Sequence, residues 1–380
     1  MSSTPRSLET VGLTERERDL FLETREIARD IIAPLDRHDG RVNRESLAAL
    51  GETGLLDQLF PSGVGEDFEP ASAMTICLIR EALSYETVEA ESAFAMQGIG
   101  GYPLVNASVA HRDAWIEKLR SGSVVAGLAL TEPGAGSDAA NLSLSATRHG
   151  GEWRLNGTKQ WITNAPDADF YLTFARTTEG AKARGISAFL VPGDATGLHA
   201  EAIEMVSPHP LGKLEFADVH VGEDQLVGVL DDGFRPAMAN LDRFRPSVGA
   251  AACGMAQAAL DETIRHTKER VAFGAPLFSQ QALAHGLADA QAEVAAARSL
   301  VRLAAGALDA GDPDITTYSA MAKLRATETA QRAIDTAIQF HGASGLQRGH
   351  LLERLYRDIR ASRIYEGANE IQRTIIARAL

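Results

Sequence analysis

Residues 286–311, GLADAQAEVAAARSLVRLAAGALDAG, limit what this chain can fold into more than any other stretch. The run is rich in alanine and leucine, lacks proline and carries an apolar stripe at helical spacing, the conditions for one long helix. At 1.5 Å per residue it is about 39 Å long. A stripe of that kind belongs on a helix packed in a bundle. GDPD at 311–314 stops the run, and another helix is expected from about 315 to 342.

The rest of the chain is read against that bundle. Thr14 and Glu17 have the spacing of a capping box, and Leu20, Ile27 and Ile31 recur at near-helical spacing before Pro34. Further helices are expected around 44–53, 71–88 and 92–119, with breaks at Pro61–Gly65 and Gly98–Pro103. From about 124 to 232 the texture changes. LSLSAT (142–147) alternates, RHGGE offers a turn, and WRLNG resumes a strand. DFYLTFAR (169–176), ISAFLVPG (186–193) and KLEFADVHV (213–221) add short strands, as in a β-sandwich or barrel. The expected fold is mainly α with a central β-domain: helical 1–123, β 124–232, and a bundle over 233–380.

Composition excludes some function classes. The 380 residues carry a net charge of −14, which repels phosphate backbones and anionic lipid, so neither nucleic acid nor membrane is an expected partner. Cys77 and Cys253 sit in apolar helical surroundings, and no metal-ligand spacing occurs, so no metal is expected. The N-terminal residues lack the apolar core of a signal peptide and no apolar run reaches transmembrane length; a cytoplasmic protein is the expectation.

Five segments can carry chemistry, and each has a plainer use. TEPGAGSDAANLSLS (131–145) can present backbone N–H groups to a phosphate or flavin edge, or merely connect domains tightly. In GTKQWITNA (157–165), Trp161 and Thr163 fall on one strand face, where an indole beside a hydroxyl can flank a planar heterocycle; a core tryptophan is commoner. Arg270 precedes an aromatic–glycine break at Phe273–Gly274, with Gln280 and Gln281 opening the next helix. That guanidinium can bridge a pyrophosphate, or snorkel at the surface. IQFHGASGLQRGH (338–350) places Gln339 and a glycine turn where a helix stops; His341 there is read as structural. RIYEGANEIQRTI (363–375) breaks at Gly367, just after Glu366, and a carboxylate at a helix break can project into a cavity instead of along a solvated face.

Taken in order, TEPGAGSD, KQWITN, ERVAFG with its glutamines, QFHGASG and IYEGANEIQR resemble the acyl-CoA dehydrogenase family over essentially the whole chain. The resemblance implies a helical domain, a β-domain and a four-helix domain, a homotetramer built as a dimer of dimers, and one FAD per subunit. It implies that Leu128, Leu130, Thr131, Gly136 and Ser137 line the flavin, Ser137 also reaching the acyl-CoA, and that Trp161, Ile162 and Thr163 sit against the isoalloxazine ring. Arg270, Phe273, Gln280 and Gln281 match the segment that holds FAD across the dimer interface, completed by Gln339, Gly342 and Ala343; Ala368, Asn369 and Glu370 would approach the cofactor. Asp242, Arg243, Phe244 and Arg245 of LDRFRP match the acyl-CoA segment, with Tyr365 and Gly367 beside the substrate.

Glu366 matches the family's catalytic base. The α-proton of a thioester is weakly acidic, so its removal needs a base tuned toward neutrality and donors at the developing enolate oxygen. The resemblance assigns those donors to the base's own N–H and a ribityl hydroxyl, and sends the β-hydride to flavin N5. Some members carry the base at the position of Phe244, which cannot accept a proton. Departures are Ala343 for a glycine, Ala368 for a frequent threonine, Glu370 for a frequent glutamine, and a shortened, proline-bracketed MVSPHPLGKLEF (205–216). The reading is an FAD-dependent acyl-CoA dehydrogenase passing electrons to an electron-transfer flavoprotein. The alternatives are an oxidase or a carrier-protein-thioester dehydrogenase on the same fold, or a DNA-associated flavin stress protein. Glu91 and Gln97, in the stretch 89–104 expected to close the pocket floor, leave the acyl group open.

Overall fold

The computed structural model describes residues 8–60, 71–105 and 112–380; the break expected at Pro61–Gly65 lies outside them. The helices are α1 (Glu15–Ile27), α2 (Arg44–Glu52), α3 (Ala73–Glu86), α4 (Val88–Gly101), α5 (Arg112–Arg120), α6 (Phe234–Glu269), α7 (Gln281–Asp309), α8 (Ile315–His341), α9 (Leu351–Ser362) and α10 (Asn369–Arg378). The strands are β1 (Ala126–Ala129), β2 (Ser145–His149), β3 (Glu152–Thr163), β4 (Phe170–Arg176), β5 (Ile186–Pro192), β6 (Leu198–Ala202), β7 (Leu211–Gly222), β8 (Leu226–Val227), β9 (Val271–Ala272) and β10 (Ala275–Pro276). Among the described residues no helix is long and apolar enough to cross a membrane. The chain divides into two compact units.

The first unit comprises Met1–Pro34, Ser72–Glu91 and Asp242–Leu380. Helix α1 opens on the reciprocal cap: Glu17 N donates to Thr14 Oγ1 (3.3 Å) and Thr14 N to Glu17 Oε2 (2.8 Å). Its inward stripe differs from the expected one. Phe21, Thr24, Ala28 and Ile32 are buried, while Ile31 is 49% exposed. Phe21 has the largest apolar surface on the helix and packs on Leu78 and Ala82, which turns the adjacent stripe outward. The long helices share an alanine-rich core with Leu260, Val294, Val301, Ile334, Leu355 and Ile359, and both cysteines are buried in it as small hydrophobes. Small residues let the helices approach closely. A Cβ on Gly254 would lie 2.3 Å from Glu81 O, so α6 meets α3 where no side chain fits. Inside α6, Pro246 cannot donate to Asp242 O, and Ser319 Oγ takes that carbonyl instead (3.1 Å).

The second unit comprises Leu35–Ala71 and Ser92–Leu241. Its sheet has eight strands in the order β6-β7-β3-β2-β4-β5-β8, with β1 parallel to β4. Among the described residues no β6–β8 pairing closes it into a ring. Strands β4 and β5 are buried along almost their whole length, as unbroken apolar runs predict. In β3, Trp153, Leu155 and Ile162 face inward. Gln97 fastens α4 to the chain entering β1: its amide donates to Val124 O (2.8 Å) and its carbonyl accepts from Ala126 N (3.0 Å). That side chain, read from the sequence as a candidate pocket group, is structural in this chain.

Candidate active site

Helix α9 ends at Ser362 and α10 begins at Asn369. Between them Glu366 (φ 51°) and Gly367 (φ 90°) are both left-handed. Glycine adopts that conformation freely; glutamate does not, and such strain persists only where the surroundings over-determine it. Here the carbonyls of the break are gripped. Arg245 Nε donates to Glu366 O (3.2 Å), and Gln372 Nε2 and Lys323 Nζ donate to Gly367 O (2.8 and 2.9 Å). Two successive left-handed residues take the Glu366 side chain off the line of either helix.

Glu366 Oε2 is buried and has no hydrogen-bond partner among the described residues. Burial raises its pKa above the ordinary carboxylate value, outweighing the Arg80, Lys323 and Arg245 cations that pull it down; Glu91 adds to the rise. Arg80 is not the partner of Glu366. Its Nε meets Glu91 Oε1 at 2.5 Å and its Nη1 donates to Ser247 Oγ at 2.7 Å, in a pair that is almost wholly buried. An unpartnered carboxylate with a raised pKa on a strained break has the properties of a general base.

The LDRFRP segment supports this break from α6. Asp242 pairs with Arg245 and accepts from Thr316 Oγ1 (2.9 Å). Phe244 is fully buried, while Arg243 is half-buried. Asn369 is 1% exposed, and its amide is engaged by Lys323 (3.0 Å), Thr327 (3.1 Å) and Glu328 (3.1 Å). Ala368 is half-buried and Glu370 exposed. Tyr365 is 39% exposed.

The second candidate region lies in the other unit. Glu132 and Ala135 exchange backbone bonds (3.1 Å each) around Pro133–Gly134, so TEPGAG is a tight turn. Its anchor was not singled out from the sequence. Buried Lys159 donates to Leu130 O and Glu132 Oε1 (2.9 Å each), and Glu132 also accepts from Ser143 N (2.6 Å) and Leu144 N (2.9 Å). Burial lowers Lys159 to about 8. Burial pushes Glu132 upward, but these donors outweigh it and leave it below its ordinary value. The turn thus holds Gly136 and Ser137 exposed, Leu128 and Thr131 half-buried, and Leu130 buried.

Trp161 departs from simple strand alternation. The β3–β7 register shifts between Gln160 and Ile162, and Trp161 takes φ 62° with 49% exposure while Ile162 is buried. An indole held half-open in a left-handed bulge is an outlier of the kind that marks ligand sites. Thr163 Oγ1 lies 3.4 Å from His209 Nε2, and burial lowers His209 to about 4. His209 belongs to the atypical 205–216 segment, just before β7 begins at Leu211, and its contact with Thr163 had no local sequence signal.

In the first unit, β9 and β10 form a hairpin whose two turn residues, Phe273 (φ 53°) and Gly274 (φ 80°), are both left-handed. Phe273 is 95% exposed. Arg270, Gln280, Gln281, Gln339, Gly342 and Ala343 are exposed as well. Near the end of α8, Glu262, His341 and His350 bring ligand-type atoms within 4.8 Å of one another. Some of their atoms already have other partners, while His341 Nε2 is buried without a hydrogen-bond partner among the described residues, 3.7 Å from Glu262 Oε1. Arg265 forks onto Glu262 (2.6 and 3.1 Å), Leu352 N donates to His350 Nδ1 (3.2 Å), and His341 Nδ1 faces Ala337 O (2.9 Å).

Comparison with known proteins fits both regions. The acyl-CoA dehydrogenase C-terminal domain family matches residues 231–380, and the acyl-CoA dehydrogenase middle domain family matches residues 127–219. A cyclohexane-1-carbonyl-CoA dehydrogenase of Geobacter metallireducens is 33% identical over 375 residues, covering 97% of this chain and 98% of its own. The butyryl-CoA dehydrogenase of Megasphaera elsdenii has a similar structure, with TM-score 0.89, 29% identity, and coverage of 97% of this chain and 98% of its own. PigA, solved with FAD and proline, gives TM-score 0.89 at 25% identity, covering 97% and 98%.

Proposed function

The chain belongs to the acyl-CoA dehydrogenase family of FAD-dependent oxidoreductases, and from that premise we propose that Glu366 removes the α-proton of an acyl-CoA thioester as the β-hydride departs, leaving a 2,3-enoyl thioester. The observation that carries this reading is the buried, unpartnered Glu366 Oε2 on a backbone held left-handed by three donors. With no hydrogen bond to give up, that oxygen can accept a proton without breaking an existing contact. Phe244, fully buried, offers no competing base.

FAD, when bound, supplies the two-electron acceptor for the hydride. The residues present suit a flavin: the half-open Trp161, the small exposed Gly136 and Ser137, and a turn made rigid by the Glu132–Lys159 pair. Leu128, Thr131 and Thr163 would complete that wall, which Leu130 and Ile162, with buried side chains, would meet only through their backbone. Arg270 would meet the pyrophosphate, with Phe273, Gln280, Gln281, Gln339, Gly342 and Ala343 at an FAD shared between subunits of a homotetramer. Asn369 is engaged within its own unit, so its contribution is to hold the break in place. Arg243, half-buried in LDRFRP, would meet the acyl-CoA. An electron-transfer flavoprotein is the proposed acceptor in turn.

A second reading keeps the fold and changes the acyl group. PigA was solved with proline, and its similarity to this chain, together with the atypical 205–216 segment, favours testing aminoacyl thioesters beside fatty ones. The experiment is anaerobic flavin bleaching across acyl-CoA thioesters of differing length and branching and a prolyl carrier-protein thioester. Wild type should bleach with at least one of them, and Glu366→Gln should hold FAD yet bleach with none. Normal bleaching by Glu366→Gln would reject the assigned base.

A further inference from the structure

Lys323 of α8 is fully buried, and no carboxylate lies in hydrogen-bond contact with its ammonium among the described residues. An isolated buried ammonium is costly unless its surroundings repay the lost hydration. Its two contacts are neutral: Gly367 O at 2.9 Å and Asn369 Oδ1 at 3.0 Å. Those acceptors sit on the two sides of one joint, the end of the left-handed break and the first residue of α10. Asn369 is itself fixed to α8 through Thr327 (3.1 Å) and Glu328 (3.1 Å). One cation therefore clamps the segment that aims Glu366, in addition to the single bond from Arg245 Nε to Glu366 O.

We propose that Lys323 is a positioning residue for Glu366: its ammonium locks the Gly367–Asn369 joint and sets a positive charge near the base. This inference rests on the reading of Glu366 as the proton acceptor. Two consequences follow from one contact. Geometrically, the lock prevents Gly367 from relaxing into an ordinary helical turn, which would swing the Glu366 carboxyl out of place. Electrostatically, Lys323 joins Arg80 and Arg245 in holding Glu366 down against burial and against Glu91. Burial lowers the Lys323 pKa to about 8, Glu366, Glu370 and Glu328 act to raise it, and Arg245 opposes its charge. Below that pH the charge is present, and without it Glu366 would ionise at a still higher pH.

The test compares Lys323→Gln, which keeps a donor without the charge, with Lys323→Met, which removes both. The readout is anaerobic bleaching of the FAD-loaded protein against pH, using whichever acyl thioester the wild type accepts, with flavin content measured in parallel. Lys323→Gln should keep FAD and move the acidic limb of the bleaching rate to higher pH. Lys323→Met should show the same shift and a further fall in the plateau rate of roughly tenfold to a hundredfold, as expected for a displaced reacting group. Should the methionine variant fail to fold, Asn369→Ala loosens the same lock with the lysine in place, and a lower plateau without a pH shift is the result expected of it. Flavin-loaded Lys323 variants with wild-type rate and pH profile overturn the inference while leaving the base intact. Wild-type bleaching by Glu366→Gln, in contrast, overturns the reading beneath it.

Discussion

A base in a dehydrated site has to resist two failures: staying protonated at working pH, or ionising so readily that it is too weak to take a carbon-bound proton. Glu366 is set between them, since burial raises its pKa and three cations limit the rise. The rate of flavin bleaching should therefore climb with pH through an acidic limb lying above the ordinary glutamate value of 4.5, which a pH series on wild type will locate. A limb at or below 4.5 would contradict the raised pKa. Stability should move the other way. A carboxyl whose folded pKa exceeds its unfolded one stabilises the fold fully below the unfolded value and loses that contribution as pH rises through the folded value. Glu366→Gln removes the charge that is penalised at high pH, so its Tm should exceed wild type at pH 8 by roughly 2–4 °C per kcal/mol relieved. The difference should shrink toward pH 4.5. Scanning calorimetry at the two pH values checks the sign. Function here is expected to oppose local stability, as strained sites often do.

Helix ends and turns, not helix interiors, position the chemistry. Gly367→Ala would force a Cβ into φ 90° and to 2.6 Å from Gln372 Nε2, and the expected result is a loss of roughly 1–3 kcal/mol and of most bleaching activity. Urea unfolding and the bleaching assay measure the two effects. In the other unit, Lys159→Met leaves Glu132 buried without its cation. Because Ser143 and Leu144 still donate to it, the cost should fall near the lower end of the 3–5 kcal/mol typical of a broken buried pair, about 3 kcal/mol, with weakened FAD retention. These two elements show what was legible beforehand. The breaks at Gly367 and at TEPGAG announce themselves through glycine and proline, and the long helices through composition; α7 and α8 lie close to where the spacing puts them. The clamps do not. Lys159 reaches back 27 residues to Glu132 and Lys323 reaches forward 44 to Gly367, and such partners are set by packing that no local pattern encodes. The bulge at Trp161 is hidden for a related reason, because strand alternation reads the same until one register step slips. Strand β6 is nearly all exposed, so LHAEA offers no alternation to read.

At the scale of the whole molecule, charge and apolar exposure decide what the surface can meet. With 37 basic against 51 acidic side chains, the chain should not retard duplex DNA in a gel even at low salt, and a salt-sensitive shift would revive the DNA-associated alternative. The apolar side points to a different partner. The β9–β10 hairpin carries Phe273 at 95% exposure and Val271 at 58%, and Phe278 just beyond it is 37% exposed. A left-handed backbone is a poor place for phenylalanine, and full exposure gains it nothing from burial, so nothing among the described residues explains why it stands at that turn. A second copy of the chain covering the hairpin would supply the missing burial, in line with the proposed dimer of dimers. Phe273→Ser should keep the monomer folded, since the side chain is 95% exposed, yet shift the assembly toward smaller species. Light scattering coupled to size exclusion would read this as a mass below four chains of 40.6 kDa, with FAD occupancy falling in step if Phe273 also covers a flavin of the neighbouring subunit. An unchanged mass and flavin content would show that the hairpin is not the covered surface, and would leave the exposure of Phe273 to be explained by some other ligand.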